Sequence, residues 1–471
     1  MSRIHPHTTP ATPAGPATPA GPSAAPPPGG GGGRARPGRR GLLTGAAGLG
    51  VLAALGATAG CASPTALAAD PSRVRFWNLF SGGDGAHMRR LLNRFCREHP
   101  DIPVDDTTLA WGDPYYTKLA MAGAGGRAPE LAVMHLGRIT GFAPGRLLDP
   151  IDTGLLERHG IRRADFNPVL WDRAVVDGEL YGLPLDIHPS VCYYNRPACR
   201  EAGLLDSGGR LAEINGAEDF LAALDAVREV IGQSPLGWNA LMPVECWWTF
   251  LSLYTQTGGT ILTPDADGIT LDDDRAEEVL AFLARLVADE YAVPGQDLVG
   301  YLVNGGGFVW FGNWLVINFN DAGLDYGARA FPTLFGTPAG QAESHCFVLP
   351  HRRGRGGASD EAAHALMAWL VRSSLAWAEA SHVPAYLPVL TDPRYLELQP
   401  QAEYREAMDR AVFDPPAWFS GTSSRIQQDV GSHVSAAAMG QVSPADGVRG
   451  MRDALGRLLA TRNPFGEGSA S

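Results

Sequence analysis

Trp238-Asn239 and the run Glu245-Cys246-Trp247-Trp248-Thr249-Phe250 concentrate indoles, an amide and a carboxylate within a short span. Those groups suit a carbohydrate, whose apolar C–H faces pack on flat rings while its hydroxyls donate and accept in the ring plane. Trp314 offers a further platform, with Trp310 four residues earlier competing for a place in the core. Covalent chemistry lacks its local signatures, since neither G-x-S-x-G nor H-E-x-x-H occurs. Lys118 is the only lysine and follows Tyr115-Tyr116-Thr117 rather than a glycine-rich run, which excludes a P-loop nucleotide hydrolase. Paired carboxylates for glycoside hydrolysis are defined by separation in space, so sequence leaves them open. Beyond Cys61, the cysteines Cys96, Cys192, Cys199, Cys246 and Cys346 form no C-x-x-C or metal-finger spacing, and no metal or cofactor is expected. Cys192 and Cys199 either bridge or remain buried thiols.

Three loops should add polar groups to the aromatic ones. Val74 to Phe80 reads as a strand, Ser81 to Gly85 as a turn, and Met88, Leu91, Leu92 and Phe95 as a helix face. A second strand near Val104 precedes a helix over Tyr115 to Ala124, and Gly125-Gly126 breaks that helix before the apolar strand Leu131 to Met134. Strands alternating with helices predict a parallel sheet, and open sheets bind ligands at loops beyond the strands' carboxyl ends. The candidate loops are therefore Ser81–Asp84, Trp111–Asp113 and His135–Arg138. Ser81 and Asp84 either contact ligand or serve the N-terminus of the following helix.

A chain of 471 residues, 45% hydrophobic and 19% charged, predicts a globular protein of two domains or lobes. Its formal charge of −12 argues against nucleic-acid binding. The first 60 residues contain Arg3, Arg34, Arg36, Arg39 and Arg40 and no acid, so the remainder is more acidic still. Residues 1–33 are too poor in large apolar groups to bury a core. Arg39-Arg40-Gly41-Leu42-Leu43, an uncharged run, and Thr58-Ala59-Gly60-Cys61 together resemble a twin-arginine export signal closed by a lipobox. An uncleaved membrane helix is the alternative. In the export reading Cys61 is lipidated and anchors the chain at the outer face of the cell membrane.

Five landmarks in order resemble extracellular solute-binding proteins of family 1, the sugar-binding components of ABC importers related to maltose-binding protein. They are the strand, glycine-rich loop and helix from Val74; Tyr115 to Leu119 with Ala124 to Leu131; Asp177-Gly178-Glu179-Leu180-Tyr181-Gly182-Leu183-Pro184 followed by Tyr193-Tyr194-Asn195; Phe311-Gly312-Asn313-Trp314; and Phe331-Pro332-Thr333. The resemblance runs from about Val74 to the C-terminus. It implies an α/β, two-lobe periplasmic-binding-protein-like (type II) fold with a hinge and an interlobe ligand cleft. Residues 72–186 and 336–384 would form one lobe, and 187–335 and 385–471 the other. The crossings would fall near Asp186–His188, Phe331–Phe335 and Val383–Pro388, with helices at Gln401–Met408 and Gly447–Leu459 in the second lobe.

The resemblance also implies roles. Glu245 and Trp247 would contact ligand, Trp314 would stack on it, and Ser81, Asp84, Trp111, His135, Asp186, His188, Trp238 and Glu343 would complete the site. His135-Leu136-Gly137-Arg138 stands where maltose binders carry a Trp and an Asp, which argues against maltodextrin. The implied function is capture of a neutral sugar by hinge closure and delivery to permease subunits, by a monomer that is not an enzyme. The alternatives are an exported glycosidase-like lipoprotein and a receptor lipoprotein on the same fold.

Overall fold

The computed structural model describes residues 72–464, within the compact unit Ala66–Ser471. The arginine pair, the apolar run after it and Cys61 lie outside the described residues.

Two sheets organise the chain. The first has the order Val104–Thr108, Val74–Asn78, Leu131–His135, His345–Pro350, Leu148–Asp149, with Gly182–Pro184 also pairing to His345–Pro350. Its first three strands are parallel, as the alternating pattern predicts, and His345–Pro350 runs antiparallel to Leu131–His135. Leu131–His135 is buried along its whole length, which is why an unbroken apolar run occupies the centre while the polar Val104–Thr108 takes the edge. The second sheet has the order Ala411–Val412, Gly340–Glu343, Asp186–Asn195, Phe308–Gly312, Leu236–Gly237. Its long buried strand Asp186–Asn195 also pairs with Tyr326–Ala330 and Val383–Pro384.

Two apolar clusters fill the molecule, the first shared by both sheets through Val191, Tyr193, Val309 and Ala328. Phe76, Val133, Phe347, Leu366 and Trp377 belong to the first, and Phe220, Trp238, Trp247, Phe250 and Leu283 to the second. The result is the two-lobed α/β architecture that the resemblance implied. The chain passes between sheets at Leu185–Asp186, at Ser344, and between Pro350 and Val383. The second passage lies further along than Phe331–Phe335, and the third has been completed by Val383. Phe331 packs in the second core and Gln256 ties down its neighbours by donating to Pro332 O, while Val383–Pro384 pairs with the start of the long strand.

Local chemistry sets the helix limits. Asp272 and Ser443 cap Asp273–Ala288 and Pro444–Ala460 by accepting from Arg275 N and Asp446 N. The helix expected over Gln401–Met408 is reduced to a single 3₁₀ turn, Arg405–Met408. Gln401 and Tyr404 spend their side chains on the carbonyls of Ala378 and Ser381, which anchors the segment irregularly. Cys192 and Cys199 are both buried and unbridged. No helix among the described residues is long and apolar enough to cross a membrane.

Candidate functional site

A cavity of about 340 Å³ opens where the two sheets meet. The first sheet contributes its loops at the strands' carboxyl ends. Ser81 and Asp84 follow Val74–Asn78, Trp111 follows Val104–Thr108, and His135 ends Leu131–His135. From the second sheet come His188, Phe311, Gln341 and Glu343, and Trp248 and Trp314 complete the wall.

One tripeptide joins the halves. Glu343 ends a strand of the second sheet opposite His188, and His345 begins a strand of the first opposite His135. Ser344 alone separates them, so the sheet change sets four titratable side chains side by side. His188 and His345 stack with centroids 4.2 Å apart, and His135 lies 4.8 Å from His345. Burial and the neighbouring His345 push His188 down to about 4, and hold His135 well below the ordinary histidine value. His135 also meets the Tyr116 hydroxyl through Nδ1.

Asp186 lies beneath these rings with no exposure. It accepts from His345 N at 2.8 Å and Trp377 Nε1 at 2.6 Å, and meets His345 Nδ1 at 2.9 Å and His188 Nδ1 at 3.3 Å. Burial alone would raise its carboxyl, but His345, His382 and these hydrogen bonds hold it well below the carboxylate range. Glu343 accepts from Gly137 N and Ser344 N, both at 3.1 Å, yet burial and Asp414 push it up to about 7. Gly137 allows that approach, because a Cβ there would sit 2.7 Å from Glu343 Oε2.

The aromatic side is a three-ring corner. Trp314, Trp248 and Phe311 meet edge to face at centroid distances of 5.3 to 6.1 Å, and Trp314 also contacts His188 at 6.0 Å. Trp314 and Trp248 are partly exposed to the cavity, and Trp111 across from them is 49% exposed. Gly312 makes room for the corner: a Cβ on it would lie 2.0 Å from the Trp314 ring. Trp310 is the buried member of its pair, stacked on Phe220 at 5.0 Å.

Four expected site residues stand elsewhere: Asp186 is buried beneath the histidine rings, and Trp247, Trp238 and Glu245 do not line the cavity. Trp247 is fully buried and donates from Nε1 to Asp414 at 2.7 Å, so Trp248 faces the cavity in its place. The two are successive residues of Pro243–Gln256, hence rotated by about 100° from one another, and only one can point inward. Trp238 is buried, and with Glu245 it borders a separate pocket of about 10 Å³ behind Trp248. Burial pushes Glu245 up to about 7.

Sequence reasoning missed His382. It follows helix Ser374–Ala378, stacks on Trp377 with centroids 4.7 Å apart, and lines the cavity. Its Nε2 lies 3.2 Å from Asp84, and burial, which lowers its pKa, is outweighed by Asp84 and Asp186, which raise it. Only its polarity within the apolar stretch Ala380 to Ala385 could have drawn notice. Gln341 and Thr422 were missed as well, Gln341 two residues before Glu343 and Thr422 within the hydroxyl-rich run 420–424.

Two α/β lobes with a polar and aromatic cavity between them define a binding-protein architecture. The family model of the bacterial extracellular solute-binding proteins matches residues 81–373, and the chain belongs to that family. It is 23% identical over 246 residues to an arabinooligosaccharide-binding protein of Bacillus subtilis (strain 168), covering 50% of this chain and 53% of that one. A protein of the same description from Halalkalibacterium halodurans is 27% identical over 222 residues, 45% of each chain. The match thus spans about half the length of these curated relatives. Among solved structures, the GacH receptor of Streptomyces glaucescens, described unliganded and with acarbose, superposes with a TM-score of 0.70 at 19% identity, over 82% of this chain and 98% of that one.

Proposed function

We propose that this chain is the substrate-binding component of an ABC importer, capturing a neutral sugar or oligosaccharide between its lobes and passing it to permease subunits. The observation that carries this reading is the composition of the cavity: aromatic faces at Trp111, Trp248, Phe311 and Trp314, and hydrogen-bonding groups at Asp84, Gln341 and Glu343, supplied by both sheets. Binding relatives named for arabinooligosaccharides support it. A solute touching both lobes would favour their closed arrangement, giving the permease a means to distinguish loaded from empty carrier. The twin-arginine-like leader and Cys61 fit export and lipid anchoring as a monomer outside the cytosol, where such a carrier works. Ser81, Asp84, Trp111, His135, His188, Trp314 and Glu343 remain the proposed contacts, and Trp248 takes the platform role first given to Trp247.

A thermal-shift screen of residues 62–471 against neutral mono-, di- and oligosaccharides tests the reading. A true solute at a hundredfold excess over Kd stabilises the folded chain by about 2.7 kcal/mol. It should also reduce the scattering radius. A panel that leaves the melting temperature unmoved throughout, arabinooligosaccharides included, refutes a sugar carrier.

A further inference from the structure

We propose that Asp186, His188, His345 and His382 form a binding site for a divalent transition-metal ion at the floor of the cavity. One ligand atom from each lies within 4.8 Å of the others, and all four residues are buried. The Nδ1 atoms of His345, His188 and His382 lie 2.9, 3.3 and 3.6 Å from the Asp186 carboxylate. Donor atoms bound tetrahedrally at about 2.0–2.1 Å are about 3.3 Å apart, so small ring rotations bring the set to that geometry.

Hydrogen bonding alone leaves this cluster poorly satisfied. Five N–H groups or ring nitrogens converge on Asp186: His345 N, His345 Nδ1, Trp377 Nε1, His188 Nδ1 and His382 Nδ1. A carboxylate offers about four lone-pair positions. His382, 1% exposed, has neither ring nitrogen in a hydrogen bond despite its approach to two carboxylates. An ion taking three Nδ1 lone pairs and one carboxylate oxygen resolves both problems, leaving Asp186 to the His345 and Trp377 N–H groups.

The surroundings supply the outer parts of a metal site. His382 Nε2 lies 3.2 Å from Asp84, near enough that the ring rotation that brings Nδ1 to an ion could let its other N–H donate to that carboxylate, as ligating imidazoles commonly do. Asp84 and Asp186 together match the charge of a dication. Phe80 and Trp377 pack against His345 and His382 as an apolar shell. Three imidazoles and one carboxylate select Zn²⁺ or Co²⁺, and nitrogen-tolerant neighbours, over Mg²⁺ or Ca²⁺. Entry is open, because His188, His345 and His382 all border the cavity. The ion would tie together the first passage between sheets, the strand start at His345 and the segment before Val383–Pro384. None of this depends on which solute fills the cavity.

The test uses chelator-treated protein titrated with ZnCl₂ by calorimetry and with CoCl₂ by visible absorption. The expected results are one ion per chain with micromolar or tighter affinity, and the intense visible bands of four-coordinate Co²⁺. His382→Ala should weaken Zn²⁺ by more than a hundredfold, and Asp84→Asn by about tenfold to a hundredfold. The Co²⁺ spectrum of the unaltered chain decides the matter even where a variant folds poorly. Absence of stoichiometric Zn²⁺ binding, a weak octahedral Co²⁺ spectrum, or affinity unchanged in a folded His382→Ala variant would each overturn the site, whatever the sugar screen returns.

Discussion

Alanine at Gly312 should evict the Trp314 indole from the cavity wall. The three atoms nearest to a Cβ built on Gly312 all belong to that indole, two of them at 2.0 Å, a separation no side chain tolerates. The backbone has little room to give way, because Gly312 is paired with Ser190 and its carbonyl accepts from Tyr193 Oη at 2.9 Å. The ring must therefore move. Overpacking of this kind costs about 1–3 kcal/mol of folding stability. A solute covering about 100 Å² of the indole face loses about 2.5 kcal/mol at about 25 cal/mol/Å², roughly seventyfold in Kd. The assay is a double-mutant cycle of Gly312→Ala and Trp314→Ala, read by chemical denaturation and by calorimetric titration of the solute found in the sugar screen. In the Trp314→Ala background, Gly312→Ala should change either quantity by no more than about 0.5 kcal/mol. If the two losses simply add, Gly312 acts through something other than the indole, and the platform reading of Trp314 loses its support.

The adjacent tryptophans of Pro243–Gln256 should separate cleanly. Trp247→Phe strands the buried Asp414 oxygen that accepted its Nε1–H, costing about 1–3 kcal/mol in denaturant titrations with solute affinity unchanged. Trp248→Ala should do the reverse, weakening solute binding at least tenfold in calorimetry with less than about 1 kcal/mol lost from the apo fold, since its ring is already partly exposed. Equal effects of the two would mean that the cavity wall is wrongly assigned. Glu245 makes stability depend on pH. Its folded pKa is raised from the ordinary 4.5 to about 7 by burial, so the folded chain holds a proton that the unfolded chain releases. That contribution is fully present below about pH 4.5, fades as pH rises through 7, and amounts to roughly 3 kcal/mol at most. Subtracting the Glu245→Gln denaturation profile from that of the parent across pH 4 to 8 should expose this slope, and parallel profiles would refute it.

The parts of this molecule that sequence reveals are those with local causes. Alternation of apolar strands with helices reports the parallel half of the first sheet, because each unit buries its own face against the next. Loops at the carboxyl ends of those strands then identify Ser81, Asp84, Trp111 and His135 as neighbours of the cavity. Helix periodicity tells that Trp247 and Trp248 differ in direction, but not which one faces inward. That choice is made by Asp414, 167 residues away along the chain, whose carboxylate receives the Trp247 N–H. Gln401 and Tyr404 show the same limit, since their partners, Ala378 at the end of helix Ser374–Ala378 and Ser381 just beyond it, lie 23 residues back along the chain.

Asp186 and the histidines around it are the extreme case. His188 is two residues from Asp186, but His345, which follows Glu343-Ser344, and His382, which follows Ser381, come from other passages of the chain. Taken singly, such a histidine is more simply a satisfied core group than a ligand. Only the pairing of Gly340–Glu343 with the second sheet and of His345–Pro350 with the first places His345 over Asp186. The pairing of Val383–Pro384 with Asp186 and Ile187 then draws His382 to the same point. Three strand pairings of long sequence separation thus converge on one carboxylate. Burying that carboxylate is costly unless its neighbours compensate it, and the compensation is incomplete while His382 lacks a hydrogen bond. Either a cation or a proton on His382 must complete it, and the Co²⁺ spectrum distinguishes the two because a protonated imidazole cannot ligate.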